Sequence, residues 1–289
     1  MTSFFPSSLS ARLGRLSFVQ HSGRLGHHKG SHVSKKKGAS LEFSDFKEYH
    51  PGDDIRHIDW NVYARTDSYF IKQFLDEQEM RIHIVLDTSK SMNFEDKWKF
   101  AQQVSIGLGQ IALKNGDTVS ISRMISGKKQ LFTRKGARQA GSWMTYISRF
   151  EQPSETTGLL DAIHTIPKGT TLLFVVTDAL EPNEHLNQLF KQLSTRRCRD
   201  VRVIAIRSKS EIAPTYQGDI RFIDSESEKI SEVTMMPSIE NTYLLQQKKH
   251  QLRMLESAAK YGIGLLMITP QTGPEDVFTI QMRRQGWVR

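Results

Sequence analysis

Residues 81–91, RIHIVLDTSKS, decide the fold. Ile82, Ile84, Val85 and Leu86 form a short apolar run that breaks abruptly into Asp87, Thr88, Ser89, Lys90 and Ser91. A strand of that composition is buried on both faces, as in a parallel sheet covered by helices. In such sheets ligands bind beyond the carboxyl ends of the strands, which is where this polar stretch falls. Asp96 is placed to cap a helix running to Asn115-Gly116. Its apolar face, Trp98, Ala101, Val104, Leu108 and Ile111, recurs at steps of three and four. Gly107 and Gly109 each cost such a helix about 1 kcal/mol relative to alanine, which close packing against the sheet would offset.

The same alternation continues downstream. Strands are expected at 118–125, 130–133, 171–177, 201–206 and 264–268, with helices around 137–150, 158–166, 183–195, 240–261 and 275–284. The runs LLFVV (172–176) and VRVIAI (201–206) again have the composition of buried strands. This pattern predicts an α/β fold, a doubly wound, mostly parallel sheet flanked by helices. Residues 219–234 read as a β-hairpin inserted before the long helix, and no repeat of 20–50 residues is visible.

Upstream, residues 41–80 alternate in Leu41-Glu42-Phe43 and again at Ile71 and Gln73, which favours strands around the turn His50-Pro51-Gly52-Asp53. Asp53, Asp54, Arg56, Asp59 and Arg65 crowd beside Trp60 and Tyr63. Acid/base chemistry is conceivable there, but no nucleophile accompanies these groups, and an internal network of ion pairs and turns is favoured. The expected organisation is a basic, partly ordered arm over 1–40, a small β-rich segment over 41–80, and the α/β domain over 81–289.

Composition narrows the classes. The chain has 289 residues, 38% apolar and 25% charged, as in an ordinary globular protein. One cysteine, Cys198, excludes an internal disulfide framework and any multi-cysteine zinc site. No apolar run reaches the length of a membrane span, so a cytoplasmic or membrane-peripheral protein is expected. The net charge of +9 is unevenly placed: residues 1–41 hold seven Lys/Arg and no acid. Leu9, Leu13 and Leu16, interleaved with Arg12 and Arg15, suggest a short amphipathic helix. The rest of the arm has the composition of a solvated tail. It is alternatively a surface for anionic lipid or nucleic acid, or a transit-peptide-like start. Four histidines in it, His21, His27, His28 and His32, lack the fixed geometry of metal ligands.

Two strands end in aspartate: Asp87-x-Ser89-x-Ser91 and Thr177-Asp178. A loop between them carries Thr156-Thr157. Two carboxylates with several hydroxyls are hard oxygen donors, suited to Mg2+ or Mn2+ rather than zinc. Where a strand turns into a helix, alternate side chains at 87, 89 and 91 can converge on one point. An ion held by so few carboxylates keeps positive charge and attracts an acidic side chain from a partner. The plainer alternative is a metal-free capping cluster at a helix start.

These motifs resemble the von Willebrand factor type A fold with its metal-ion-dependent adhesion site. A closer resemblance is to the bacterial domain-of-unknown-function-58 family. It rests on Leu41-Glu42-Phe43, Tyr49-x-Pro51-Gly52-Asp53-Asp54, Arg56-x-Ile58-Asp59-Trp60, Ala64-Arg65 and Leu86-Asp87-Thr88-Ser89-x-Ser91-Met92. It spans roughly residues 25–289. The resemblance implies metal ligands Asp87, Ser89, Ser91, Thr157 and Asp178. The family's Gly-Gly-Thr-Asp-Leu loop is here Glu155-Thr156-Thr157-Gly158-Leu159, in which Thr157 matches and the acid that follows it is replaced by Gly158. It also implies a non-enzymatic role as adaptor of a MoxR-type AAA+ ATPase or its client, in complex maturation or metal insertion.

Enzymatic alternatives fit less well. A haloacid-dehalogenase-like phosphatase needs an acid two residues after Asp87, and Ser89 stands there. No Gly-x-x-x-x-Gly-Lys-Ser/Thr phosphate loop and no Gly-x-Ser-x-Gly nucleophile turn occurs. Arg196, Arg197 and Arg199 around Cys198 read as a solvated helix end. Cys198 reads as an inert thiol, and Trp143 and Trp287 as packing residues.

Overall fold

The strand beginning at Arg81 lies in the interior of a six-stranded sheet. The computed structural model describes residues 4–19, 42–75, 79–125, 127–153, 159–196, 198–225 and 227–289. The chain divides into a larger unit, Met1–Gly26 with Met80–Arg289, and a smaller one, His27–Glu79. Elements run in chain order as α1 (Ser7–Leu13), β1 (Glu42–Glu48), α2 (Trp60–Thr66), β2 (Phe70–Leu75), β3 (Arg81–Leu86), α3 (Lys97–Lys114), β4 (Thr118–Ile125) and β5 (Lys128–Lys135). Then follow α4 (Ala140–Ser148), α5 (Leu159–Ala162), β6 (Leu172–Thr177), α6 (Asn183–Thr195), β7 (Asp200–Ile206) and α7 (Lys209–Ile212). The chain continues as β8 (Gly218–Ile223), β9 (Ile230–Met235), α8 (Pro237–Lys260), β10 (Gly264–Ile268), α9 (Gly273–Asp276) and α10 (Met282–Arg284).

The large sheet has the order β10-β7-β6-β3-β4-β5. All pairings are parallel except β4 with β5. The antiparallel edge follows from the short link between Ile125 and Lys128, which can close a hairpin but not a parallel crossover. From β3 the chain first builds outward through β4 and β5, then returns to the other side of β3 for β6, β7 and β10. The order therefore reverses between β3 and β6, the position at which open α/β sheets form a ligand crevice.

Helices cover both faces. Ile82, Ile84 and Leu86 of β3 belong to a core shared with α1, α3, α4 and the C-terminal helices, while Val85 belongs to one shared with α5, α6 and α8. Helix α3 is buried almost all round. The expectation that Gly107 and Gly109 pack on the sheet needs correction: aromatic rings of neighbouring segments fill these places. A Cβ on Gly107 would lie 2.2 Å from the Phe278 ring, and one on Gly109 1.9 Å from the Trp143 indole nitrogen. Asp96 stands at the start of α3, but its side chain makes no capping hydrogen bond.

A second correction concerns the N-terminal arm. Phe5, Leu9, Leu13, Leu16 and Phe18 are buried in the α3-side core, so residues 4–19 are part of the domain. The apolar face of α1 offers more surface to bury than a solvated tail can leave exposed. The segment is anchored by Ser17 and Val19, whose amides donate to the carbonyls of Arg289 (3.1 Å) and Trp287 (3.0 Å). Arg12 pairs with Glu275 of α9. The remainder of the arm, including its histidines, lies outside the described residues.

In the smaller unit, β1 and β2 pair antiparallel with an irregularity between Phe43 and Asp45. The charge-rich turn is a network of local bonds. Lys47 donates to both oxygens of Asp53 at 3.0–3.1 Å, and Arg56 forks onto Asp54. Asp59 caps α2 by accepting from the amides of Asn61 and Val62. Tyr63 and Tyr69 stack with ring centroids 4.5 Å apart.

Candidate functional site

The parallel register sets Leu86 beside Val176, so Asp87 and Thr177 emerge side by side where the strand order reverses. The Asp87 amide donates to the Val176 carbonyl at 2.9 Å, carrying the pairing one residue beyond the strand. Its carboxylate then accepts two bonds, from the Ser89 amide to Oδ1 (2.9 Å) and from the Thr177 hydroxyl to Oδ2 (2.6 Å). The Ser89 amide bond bends the chain so that the Ser89 and Ser91 hydroxyls lie 3.0 Å apart. Residues Lys90–Asn93 form a 3-10 turn, and Thr88 is fastened to the Met124 carbonyl at 2.7 Å.

Asp178 follows Thr177 and is also buried. Its Oδ1 accepts from the Leu180 amide at 3.3 Å, and its Oδ2 from the ammonium of Lys97 at 2.7 Å. Burial raises the Asp87 carboxyl to about 6, and the negative charge of Asp178 pushes in the same direction. The two carboxylates repel each other at the strand ends, beside a pair of touching hydroxyls.

The structure thus brings Asp87, Ser89, Ser91 and Asp178 together at the switch point. Thr157 and its alternative Thr156 lie outside the described residues. Asn93 donates to the carbonyl of Pro153, the described residue just before that loop, so the loop's base is tied to the DTSKS turn.

Three neighbours were not legible as site residues. Lys97, the first residue of α3, is fully buried and reaches both Asp178 and, at 2.6 Å, Glu211. Glu211 closes a capping box at α7, accepting from the Ser208 amide at 2.7 Å. Its carbonyl accepts from Tyr243 and Gln247 of α8 at 2.7 Å each. Arg207 donates to the Ala179 carbonyl at 2.9 Å, and burial lowers its pKa. One signal pointed to Lys97: a lysine in the first turn of a helix that has no acid there works against the helix dipole.

The donor set fits a small hard cation. Its oxygens come from carboxylate and hydroxyl groups, and the mutual repulsion of Asp87 and Asp178 is what a cation relieves. Among the described residues no three His, Cys, Asp or Glu side chains gather in a metal-binding group. Any ion here would depend on the serine hydroxyls as well as the acids. The lone thiol, Cys198, is half-buried and its pKa is raised by burial, away from the reactive range.

Comparison with known proteins gives a family match. The model described as "Protein of unknown function DUF58" matches residues 45–253. Uncharacterized proteins of Mycobacterium tuberculosis and Mycobacterium bovis are 21% identical over 249 residues, covering 83% of this chain and 78% of their own. Among solved structures, the conserved hypothetical protein BatB from Bacteroides thetaiotaomicron is 13% identical with a TM-score of 0.42, covering 71% of this chain and 98% of that one. The SpRpn10 VWA domain is 9% identical with a TM-score of 0.38, covering 71% of this chain and 95% of its own.

Proposed function

The chain belongs to the DUF58 family and has a mostly parallel, six-stranded α/β sheet, and on that premise we propose that it is a von Willebrand factor A-like, non-enzymatic protein-interaction module whose strand-end crevice docks a partner through a divalent ion. The carrying observation is the placement of Asp87 and Asp178, with the Ser89–Ser91 hydroxyl pair, at the reversal of strand order. Asp87, Ser89, Ser91 and Asp178, with Thr157 as the family resemblance implies, would hold Mg2+ or Mn2+. When bound, the ion supplies a positive centre for a partner's aspartate or glutamate.

The chain's own residues do the positioning. The Thr177 hydroxyl and Ser89 amide hold the Asp87 carboxylate in one orientation, and the 3-10 turn presents Ser91, half-buried, at the mouth. Lys90, between the two serines, reaches Glu228 at the turn of the β8–β9 hairpin at 3.5 Å. That hairpin carries exposed Phe222, Ile223 and Ile230. An apolar surface beside a polar site gives a protein partner contact area as well as an ionic anchor.

A MoxR-type AAA+ ATPase, or its client, is the partner that the family resemblance suggests. The alternative reading, binding of an anionic partner through the arm, would rest on Arg24, Lys29, Lys35, Lys36 and Lys37, which lie outside the described residues, since α1 packs its apolar face on the core and Arg12 pairs with Glu275. Among the described residues no helix is long and apolar enough to cross a membrane. Calorimetric titration of Mg2+ and Mn2+ into wild type and Asp87→Ala tests the metal. Saturable heat from wild type alone is expected, and equal heats from both would overturn the reading. A pull-down with wild type that recovers no ATPase would count against that partner.

A further inference from the structure

Lys97 is among the largest fully buried side chains of the described residues, and its ammonium lies between two carboxylates, Asp178 at 2.7 Å and Glu211 at 2.6 Å. Burying a lysine is costly unless it is paired and hydrogen-bonded, and the N-terminal turn of a helix adds a further unfavourable field. Both costs are met here to place a cation on one of the two acids at the strand ends. Asp178 offers its Oδ2 to Lys97 and its Oδ1 to the Leu180 amide, so neither oxygen is uncommitted. Arg207 is a second cation beside these acids, acted on by Asp178, Glu211 and Glu181.

We propose that Lys97 is a resident counter-ion that sets the divalent-ion affinity of this site, by holding Asp178 against the incoming metal and keeping the affinity low. The proposal rests on the reading of the crevice as a divalent-ion site. Its physical core is competition for one carboxylate. An ion drawing on Asp178 meets the ammonium across the same group, and unlike a mobile counter-ion, Lys97 cannot leave. Glu211 is the ammonium's second seat: Lys97 gives up part of its hold on Asp178 only because Glu211 shares it. Glu211 is itself fixed by the Ser208 amide, so the pair acts as one unit with the start of α7.

The test titrates Mn2+ into the full chain by calorimetry, comparing wild type, Lys97→Met, Glu211→Gln and Asp87→Ala, with folding checked by circular dichroism. Lys97→Met is expected to bind at least about tenfold tighter, the factor that repulsion between a divalent ion and an ammonium sharing one carboxylate gives even at the dielectric constant of water. Glu211→Gln, which leaves Lys97 to Asp178 alone, is expected to bind several-fold more weakly than wild type. If Lys97→Met does not fold, Lys97→Met/Glu211→Gln removes one charge of each sign and is expected to tighten binding likewise. Wild-type affinity in the folded lysine variant, with binding abolished by Asp87→Ala, would overturn the role of Lys97 and leave the metal site standing. No saturable Mn2+ binding in any of the proteins would overturn both.

Discussion

The hydroxyl of Thr177 donates to Oδ2 of Asp87 at 2.6 Å, across the boundary where the strand order reverses. The Thr177 hydroxyl oxygen in turn accepts from the Ala179 amide at 3.0 Å, so one buried side chain orients the DTSKS carboxylate and the turn that carries Asp178.

Thr177→Val keeps the shape of that side chain but leaves Asp87 short of a donor and the Ala179 amide without its acceptor. The expected loss is about 1–3 kcal/mol of stability, the cost of unsatisfied buried groups. Urea unfolding at neutral pH measures it. A change within error of zero would mean that the two loops are held by other bonds.

His83 gives the fold a pH dependence. Buried beneath the sheet surface, its ring lies within hydrogen-bond distance of the Ser120 and Ser122 hydroxyls, at 2.7 and 2.9 Å. Burial lowers its pKa to about 3, and the charge of Lys129 acts the same way. The unfolded chain takes up this proton near the ordinary value of about 6.5. The folded state's advantage is therefore complete above that pH and is lost as pH falls toward 3, by at most about 1.4 kcal/mol per pH unit. The stability gap between wild type and His83→Gln should narrow from pH 6.5 to 4.5. A constant gap would contradict a neutral, buried imidazole.

Gly109→Ala sets helix propensity against packing. Alanine favours α3 by about 1 kcal/mol, but its Cβ would fall inside the Trp143 ring. Overpacking of a tight core typically costs about 1–3 kcal/mol, so a net destabilisation is expected in thermal melts. Gly109→Ala/Trp143→Leu should lose less than the sum of the single changes, since the two positions compete for one space.

The N-terminal segment is expected to behave as core. Leu9→Ala or Leu13→Ala should cost about 2–5 kcal/mol, whereas Arg15→Ala, on the exposed side, should stay within about 0.5 kcal/mol. Chemical denaturation of the three variants decides between a packed helix and a solvated arm.

Much of this architecture is legible in short windows of sequence, because a buried strand that ends in DTSKS or in Thr177-Asp178 declares its apolar run and its polar end together. The antiparallel β5 was also within reach, through the short link after Ile125. Two features lay beyond such reading. The spacing of Leu9, Leu13 and Leu16 marks a helix, but its seat on α3 depends on pairing with Trp287 and Arg289, far away in sequence. The burial of Lys97 depends on carboxylates contributed by the turn after β6 and by α7, which no local pattern relates to it. Proximity made by tertiary folding leaves little trace in spacing.

The pairing of Ser17 with Arg289, 272 positions apart, bears on how the protein is made. Synthesis delivers α1 well before the residues that clamp it, which follow by 272 positions. Its buried leucines therefore wait, exposed, through the synthesis of nearly the whole domain. Contacts of such separation are slow to form, and the interval is one in which a nascent chain is open to aggregation or to a chaperone's grip. Closure of the α3 face thus becomes a late event, committed only once the far end of the domain has arrived.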